Sequence, residues 1–238
     1  RPKYMKNDSV SQWTIDWCKI RNKRTWYQAS TTSTNQIAKE QGTTFDVYLT
    51  DHQSQGRGRK NSEWLDVAGG SSLLSSWTFK LSKPPQPIAS PLFGLAVFTS
   101  LKTVWPNLPF SLKAPNDVYL GDKKIAGILL EVVSTGSEHL MILGLGLNVF
   151  ASPESLPHAT YLSTMGVLVT NTDWQRFLDV LQTYFTEMAN LSMHQEMPSG
   201  LCEQIKTALN HFPLKKAYVD KVEANGHIVT EVSSTPWL

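Results

Sequence analysis

The stretch from Val118 to Asn148 constrains the fold more than any other part of the chain. Residues 118–120, a Gly121-Asp122 turn, residues 125–133, a turn at Gly136 and residues 140–148 form three apolar runs parted by short turn signals, the pattern of an antiparallel meander. The runs are nearly continuous rather than alternating, so these strands must be covered on both faces and belong at a sheet centre. The rest of the chain supplies covering layers. Ser33 and Thr34 read as the N-cap of a short helix with Ile37 and Ala38 on its apolar side. Ser90 and Pro91 open a helix carrying Leu92, Leu95, Ala96, Thr99 and Leu101, closed by Trp105-Pro106. Asn171 or Thr172 caps the most amphipathic segment, with Trp174, Phe177, Leu178, Leu181, Tyr184, Phe185, Met188 and Leu191 at three- and four-residue spacing, and Leu201, Ile205 and Leu209 mark another helix. Alternation over residues 45–50 and 75–81 adds two strands, and residues 217–222 and 227–232 flank an Asn225-Gly226 hairpin signal. Residues 1–30 mix aromatics and cations (Trp13, Trp17, Lys19, Arg21, Lys23, Arg24, Trp26, Tyr27) without sustained period. They are expected to form an edge segment in which residues 21–24 make a solvated basic turn rather than a nucleic-acid patch. The whole predicts an α+β fold, a central mixed, mostly antiparallel β-sheet flanked by helices. Residues 1–212 are expected as the main domain and 213–238 as a short C-terminal strand segment.

Composition removes several functions. Over 238 residues, 22 Lys+Arg against 20 Asp+Glu leave a net charge of +2, too little for a general field that would hold nucleic acid or an anionic membrane. The two cysteines, Cys18 and Cys202, stand far apart without the spacing of a zinc site or a disulfide framework, so a reducing, cytoplasmic setting is expected. No apolar run approaches the ~20 residues of a membrane helix. The H-E-x-x-H, G-x-S-x-G and G-x-x-x-x-G-K-[ST] patterns are absent, which removes the common zinc hydrolase, serine hydrolase and P-loop readings.

Three segments suit anion chemistry. Gln53-Ser54-Gln55-Gly56-Arg57-Gly58-Arg59-Lys60 lies between two strands; glycine lets backbone N–H groups approach an anion, and arginine binds carboxylate or phosphate through two bonds. A flexible polar hairpin is its alternative reading, and the third glycine of a dinucleotide fingerprint is missing. Lys113-Ala114-Pro115-Asn116-Asp117 precedes a strand, and a hairpin at Gly121-Asp122 brings Asn116, Asp117 and Lys124 onto neighbouring strand ends. Gly127 inside a bulky apolar strand signals close approach of a ligand or backbone. Gly144-Leu145-Gly146-Leu147-Asn148 leaves room in a buried strand and ends on an amide, with a bulged core strand as the alternative.

Taken in order, Ser33-Thr34-Asn35-Gln36, Gln53 with Gly56-Arg57-Gly58-Arg59 and Trp64, Lys113-Ala114-Pro115-Asn116-Asp117, Lys124-Ile125-Ala126-Gly127-Ile128-Leu129-Leu130-Glu131 and Gly144-Leu145-Gly146-Leu147-Asn148 resemble the catalytic domain of biotin protein ligases over residues 33–148. The resemblance implies a mixed sheet flanked by helices, Mg2+-dependent activation of biotin by ATP to biotinyl-adenylate, and transfer to one lysine of a biotin carboxyl carrier domain. It implies Ser33, Thr34, Gln53 and Gly56 around the biotin rings, Gly127 as a pocket wall, and Arg57 and Arg59 in a loop closing over biotin and adenylate. It further implies Trp64 stacked on adenine, Asn116 and Asn148 at the nucleotide, Lys124 on the biotin carboxylate and α-phosphate, and Asp117 near the metal. Attack of a carboxylate on the α-phosphate joins two anions, and Arg59, Lys124 and Mg2+ suit the charge that develops. Asp117 is then the group to take or orient the proton of the incoming lysine.

Three departures stand out: Ala114 where the family usually carries Trp, no counterpart of the repressor-type winged helix-turn-helix, and at most a shortened C-terminal domain. Operator binding is therefore not expected, and a monomer or homodimer is left open. A lipoate or octanoate ligase or transferase shares the implied fold and chemistry, and a non-catalytic biotin-binding protein is the other alternative. The polar set Ser33, Thr34 and Gln53 favours biotin over lipoate, and Arg59, Lys124 and Asp117 form a phosphate clamp that a mere sensor does not need.

Overall fold

The computed structural model describes residues 9–67, 69–211, 218–231 and 233–236. One sheet is built from β1 (Thr25–Thr31), β2 (Val47–Gln53), β3 (Ser72–Leu81), β4 (Phe110–Lys113), β5 (Asp117–Leu120), β6 (Lys123–Thr135) and β7 (Glu138–Asn148), in the order β1-β2-β3-β7-β6-β5-β4. Only β1 and β2 run parallel, so the sheet is mixed and mostly antiparallel as the sequence predicts. The β5-β6-β7 meander is present, and β7 occupies the middle of the sheet. The free outer half of β6 departs from the expectation: β5 stops pairing at Gly127, and residues 130–135 are half-buried or exposed.

The two faces are covered unequally. On one lie α1 (Val10–Ile20), α3 (Ala89–Val104), α4 (Asn171–Leu191) and α5 (Ser199–Asn210), around a large apolar core. Trp77 and Phe93 each meet Phe185 edge to face at 5.5 Å, the offset geometry that aromatic quadrupoles favour. On the other face, among the described residues, one α-helix, α2 (Thr34–Gln41), seals a small cluster of Ala38, Tyr48, Leu140 and Ile142. Beside α2 that face is covered by the loop between β2 and β3, and the candidate site lies there.

Most element starts lie within a residue or two of their sequence signals. α4 opens one residue early, with Thr170 as N-cap and Asp173 completing a capping box. α3 starts at Ala89, with Ser90 inside its first turn. The N-terminal reading needs correction. Residues 1–30 hold a capped helix, α1, as well as the expected edge strand, β1. Val10, Trp13, Thr14, Trp17 and Cys18 are buried at helical spacing. The period is hidden because Thr14 counts as polar, yet its hydroxyl donates to the Val10 carbonyl and accepts from Trp174 Nε1, which lets it sit in the core. The basic turn behaves as expected: Arg21 pairs with Asp179 at 2.7 Å and Arg24 with Asp46 at 2.5 Å, both at the surface.

A second sheet holds β8 (Val219–Val222), β9 (Ile228–Thr230) and β10 (Ser233–Thr235). Asn210 exchanges two hydrogen bonds with the Val219 backbone, and Val219 and Val222 enter the main core. The division expected between residues 212 and 213, and the strand ends Ala217 and Val232, lie outside the described residues. Among the described residues no helix is long and apolar enough to cross a membrane.

Candidate active site

The floor of the site is made by glycines. Gly127 on β6 faces Gly146 on β7 in register, and a Cβ at either would stand 2.8 Å or 2.5 Å from the Trp64 ring. Two missing side chains thus make a flat bed for an indole. Two residues back along β7, on the same face, a Cβ at Gly144 would stand 2.6 Å from Asn35 Oδ1, so the α2 amide occupies that space. The β7 ladder is regular through both glycines, which settles the bulge alternative against itself: the glycines admit side chains from other elements.

Cations and carboxylates gather along the rim. The β5-β6 hairpin sets Lys124 Nζ 2.7 Å from Asp117 Oδ1, the pairing that the Gly121-Asp122 turn predicts. This contact lies outside good hydrogen-bonding angles, so the buried Oδ1 keeps unused acceptor capacity. Lys124 Nζ also lies 5.5 Å from the Trp64 ring centroid, within cation–π range. The backbone of Lys124 is clamped by residues 158–160, receiving from Thr160 N and donating to the His158 carbonyl, each at 2.8 Å.

The glycine- and arginine-rich loop is pinned at both ends. Asp66, whose side chain is fully buried, accepts from Gln53 N at 3.0 Å and meets His52 Nδ1 at 2.9 Å. Trp64 N donates to the Gly56 carbonyl, and a Cβ at Gly56 would stand 2.3 Å from the Trp64 carbonyl, so only glycine fits. Lys60 adopts a left-handed φ of 53° at the loop tip. Gln53 Oε1 accepts from Thr34 N at 2.9 Å, joining loop, α2 and cavity. Arg57 reaches Glu131 at 3.5 Å across the cavity edge. Burial favours a neutral Glu131, yet the bonds from Lys39 and Asn35 and the Arg57 charge outweigh it and hold the carboxyl below the ordinary range.

Two cavities flank the loop. The inner one, about 280 Å³, is lined by Ser33, Thr34, Gln53, Arg57, Arg59, Trp64, Asn116, Asp117, Lys124 and Gly127. The outer one, about 590 Å³, shares Gln53, Arg57, Arg59 and Trp64 and adds Gly56 and Glu131. Eleven of the twelve residues expected from sequence therefore line one cavity or the other. Asn148 does not: it is buried, accepting from Ser72 Oγ at 3.2 Å and donating to the Thr160 carbonyl at 3.1 Å. Its amide anchors the segment that clamps Lys124. Asn116 is half committed, its Nδ2 donating to the Ile128 carbonyl at 2.6 Å. Trp64 lies against the glycine bed with its Nε1 buried and without a hydrogen-bond partner. Sequence reasoning gave no role to Asn35, Asp66 or Glu131. Glu131 is a lone carboxylate on an apolar strand, a signal that could have been read; Asp66 sits in a loop with no period.

Residues 26–148, just over half of the chain, match the model of the "Biotin/lipoate A/B protein ligase family". The chain belongs to that family. Within it, the chain is 37% identical over 126 residues to the biotin--[acetyl-CoA-carboxylase] ligase of Mycobacterium tuberculosis, covering 51% of this chain and 46% of that protein. It is 32% identical over 146 residues to the Paracoccus denitrificans ligase of the same name, covering 58% and 60%. The chain thus spans about half the length of the curated relatives it matches. The Aquifex aeolicus biotin protein ligase solved with biotin and ATP shares the fold, with a TM-score of 0.69, 22% identity and coverage of 89% of this chain and 94% of that one. The Leishmania major enzyme solved with biotinyl-5-AMP shares it at a TM-score of 0.57, 17% identity and coverage of 90% and 98%. The class of sheet flanked by helices expected from sequence is that of the family.

Proposed function

We propose that the chain activates biotin with ATP to biotinyl-adenylate and passes the biotinyl group to a lysine of a biotin carboxyl carrier domain. One observation carries this reading: a single cavity is lined both by neutral hydrogen-bonding side chains, Ser33, Thr34 and Gln53, and by cations, Arg57, Arg59 and Lys124. An acid with an uncharged polar head and a carboxylate suits such a lining. A lipoyl chain offers the neutral side chains nothing to bond, so buried acceptors and donors there would lose their partners at a cost of about 1–3 kcal/mol each. The likeness to ligases of biotin supports the same choice.

In this reading Lys124 and Arg59 bring the acid's carboxylate to the α-phosphate and hold the charge that builds on it. Arg57 and the loop close over the bound acid, and Trp64 leaves the glycine bed to stack on the adenine. Asn116 contacts the nucleotide through its remaining Oδ1, while Asn148 acts by holding residues 158–160 behind Lys124. Among the described residues no group of three or more His, Cys, Asp or Glu is placed to hold a metal. A single carboxylate with an unused oxygen, Asp117, suits Mg2+ that is carried mainly by nucleotide phosphates. Bound there, Mg2+ would offset phosphate charge. In the second step Asp117 takes or orients the proton of the incoming lysine; full transfer from preformed biotinyl-adenylate by Asp117→Asn would overturn that role. The two buried free thiols, Cys18 and Cys202, suit a cytoplasmic setting.

The test is ATP–pyrophosphate exchange with Mg2+, comparing biotin, lipoate and no acid. Exchange with biotin alone supports the proposal. Exchange with lipoate moves the activity to the lipoate branch of the family, and exchange with neither leaves a non-catalytic binding protein.

A further inference from the structure

Glu131 stands outside the roles above, yet it is the origin of a directed hydrogen-bond chain. A carboxylate can only accept, and Glu131 stays ionised beside Lys39 Nζ at 2.6 Å. The Asn35 amide must therefore turn its Nδ2 to Glu131, at 2.8 Å, which points Oδ1 at Ser76 Oγ, 2.5 Å away. Ser76 is fully buried and owns one hydroxyl proton, which it spends on Asn35. It must then accept at its other contact, Thr34 Oγ1 at 2.7 Å. The Thr34 proton is consequently used inward, on the 2.7 Å contact with Ser76 rather than the longer 3.3 Å contact with Gln53 Oε1, and the face of Thr34 turned to the cavity is a lone pair. Thr34 N also donates to Gln53 Oε1, so the acceptor end of that amide is occupied as well.

We propose that Glu131 is a positioning and specificity-determining residue, fixing through Asn35 and Ser76 the polarity of the Thr34 hydroxyl so that the cavity demands an N–H donor from its ligand. The inference rests on the reading of this cavity as the acid-binding site. If Glu131 is made neutral, the Asn35 amide can flip, Ser76 can accept from it, and Thr34 no longer has an assigned direction. An N–H of a cyclic urea is the ligand group such an acceptor selects.

The experiment is biotin-dependent pyrophosphate exchange by the full chain, with biotin and a ureido N-methyl analogue, for the wild-type protein, Glu131→Gln and Lys39→Gln. Glu131→Gln is expected to raise the biotin KM about tenfold or more and to narrow the preference for biotin over the analogue. Its ATP KM and kcat should stay within about twofold of wild type, a split that loss of folded protein would not produce. Lys39→Gln, which keeps the Asn35 contact, is expected to keep the biotin KM within about twofold. Should Glu131→Gln fail to fold, Asn35→Ala removes the amide in question and is read in the same way, with biotin affinity from calorimetry as a second readout. An active wild-type protein whose Glu131→Gln variant keeps both its biotin KM and its discrimination overturns this proposal alone. A wild-type protein inactive with biotin overturns the underlying reading and this proposal with it.

Discussion

At the scale of single residues, the site is defined as much by missing side chains as by present ones. Gly146→Ala places a Cβ 2.5 Å from the Trp64 ring, so the indole must leave its bed. We expect altered tryptophan fluorescence in the empty protein and at least tenfold weaker biotin-dependent exchange; unchanged values of both would show that the bed has no part in the site. Lys124→Met removes the cation nearest the expected phosphate while keeping the length of the side chain. Loss of preorganised charge at a reacting centre costs roughly 10²–10³ in rate, and exchange should fall by at least that with little change in Tm. A variant that merely bound biotin less tightly, with kcat intact, would show that Lys124 binds the acid without acting on the transition state.

At the scale of elements, α1 ties the N-terminal part of the chain to α4 and the sheet. Trp17 is buried, donates through Nε1 to Asp179 at 2.9 Å and meets Trp77 edge to face at 5.9 Å. Trp17→Ala removes that packing and the indole donor. A cavity of this kind costs about 3–5 kcal/mol, on the order of 10 °C in Tm for a chain of this length. Thermal unfolding measures it, and a fall of under about 2 °C would mean that α1 does not share the main cooperative unit. The site lies on the opposite face, so residual folded protein should keep its biotin KM.

At the scale of the whole molecule, three carboxylates couple stability to acid. Hydrogen bonds from Arg21 hold Asp179 below its ordinary range against a smaller burial effect; for Asp46 and Glu131 burial is the larger single influence, overcome by Arg24 and by Lys39 and Asn35. Each is ionised in the folded state at a pH where the unfolded chain already binds its proton. Their contribution is therefore complete above the unfolded values, near pH 4, and is lost as the pH falls through the lower folded ones. Tm should be flat near neutrality and drop below about pH 4. Asp179→Asn should make that acid limb shallower; an unchanged limb would show that the exposed Arg21 pair contributes nothing.

Much of this arrangement was legible in the chain because it rests on local periods and turns. The meander, α3 and α4 follow from apolar spacing and caps, and Asp117 meets Lys124 because one two-residue turn dictates a short register. Ordered short motifs marked eleven cavity residues for the same reason, since each motif sits at a strand end, in a loop between strands or at the start of α2. What tertiary structure alone decided involves partners distant in sequence. The helix in residues 10–20 needed Trp174 to satisfy a buried threonine, and Asn148 turned inward because Ser72 and Thr160 took both ends of its amide. Glu131 acquired its place only when the sheet set it beside α2, where a carboxylate that can only accept orders every proton between itself and the cavity.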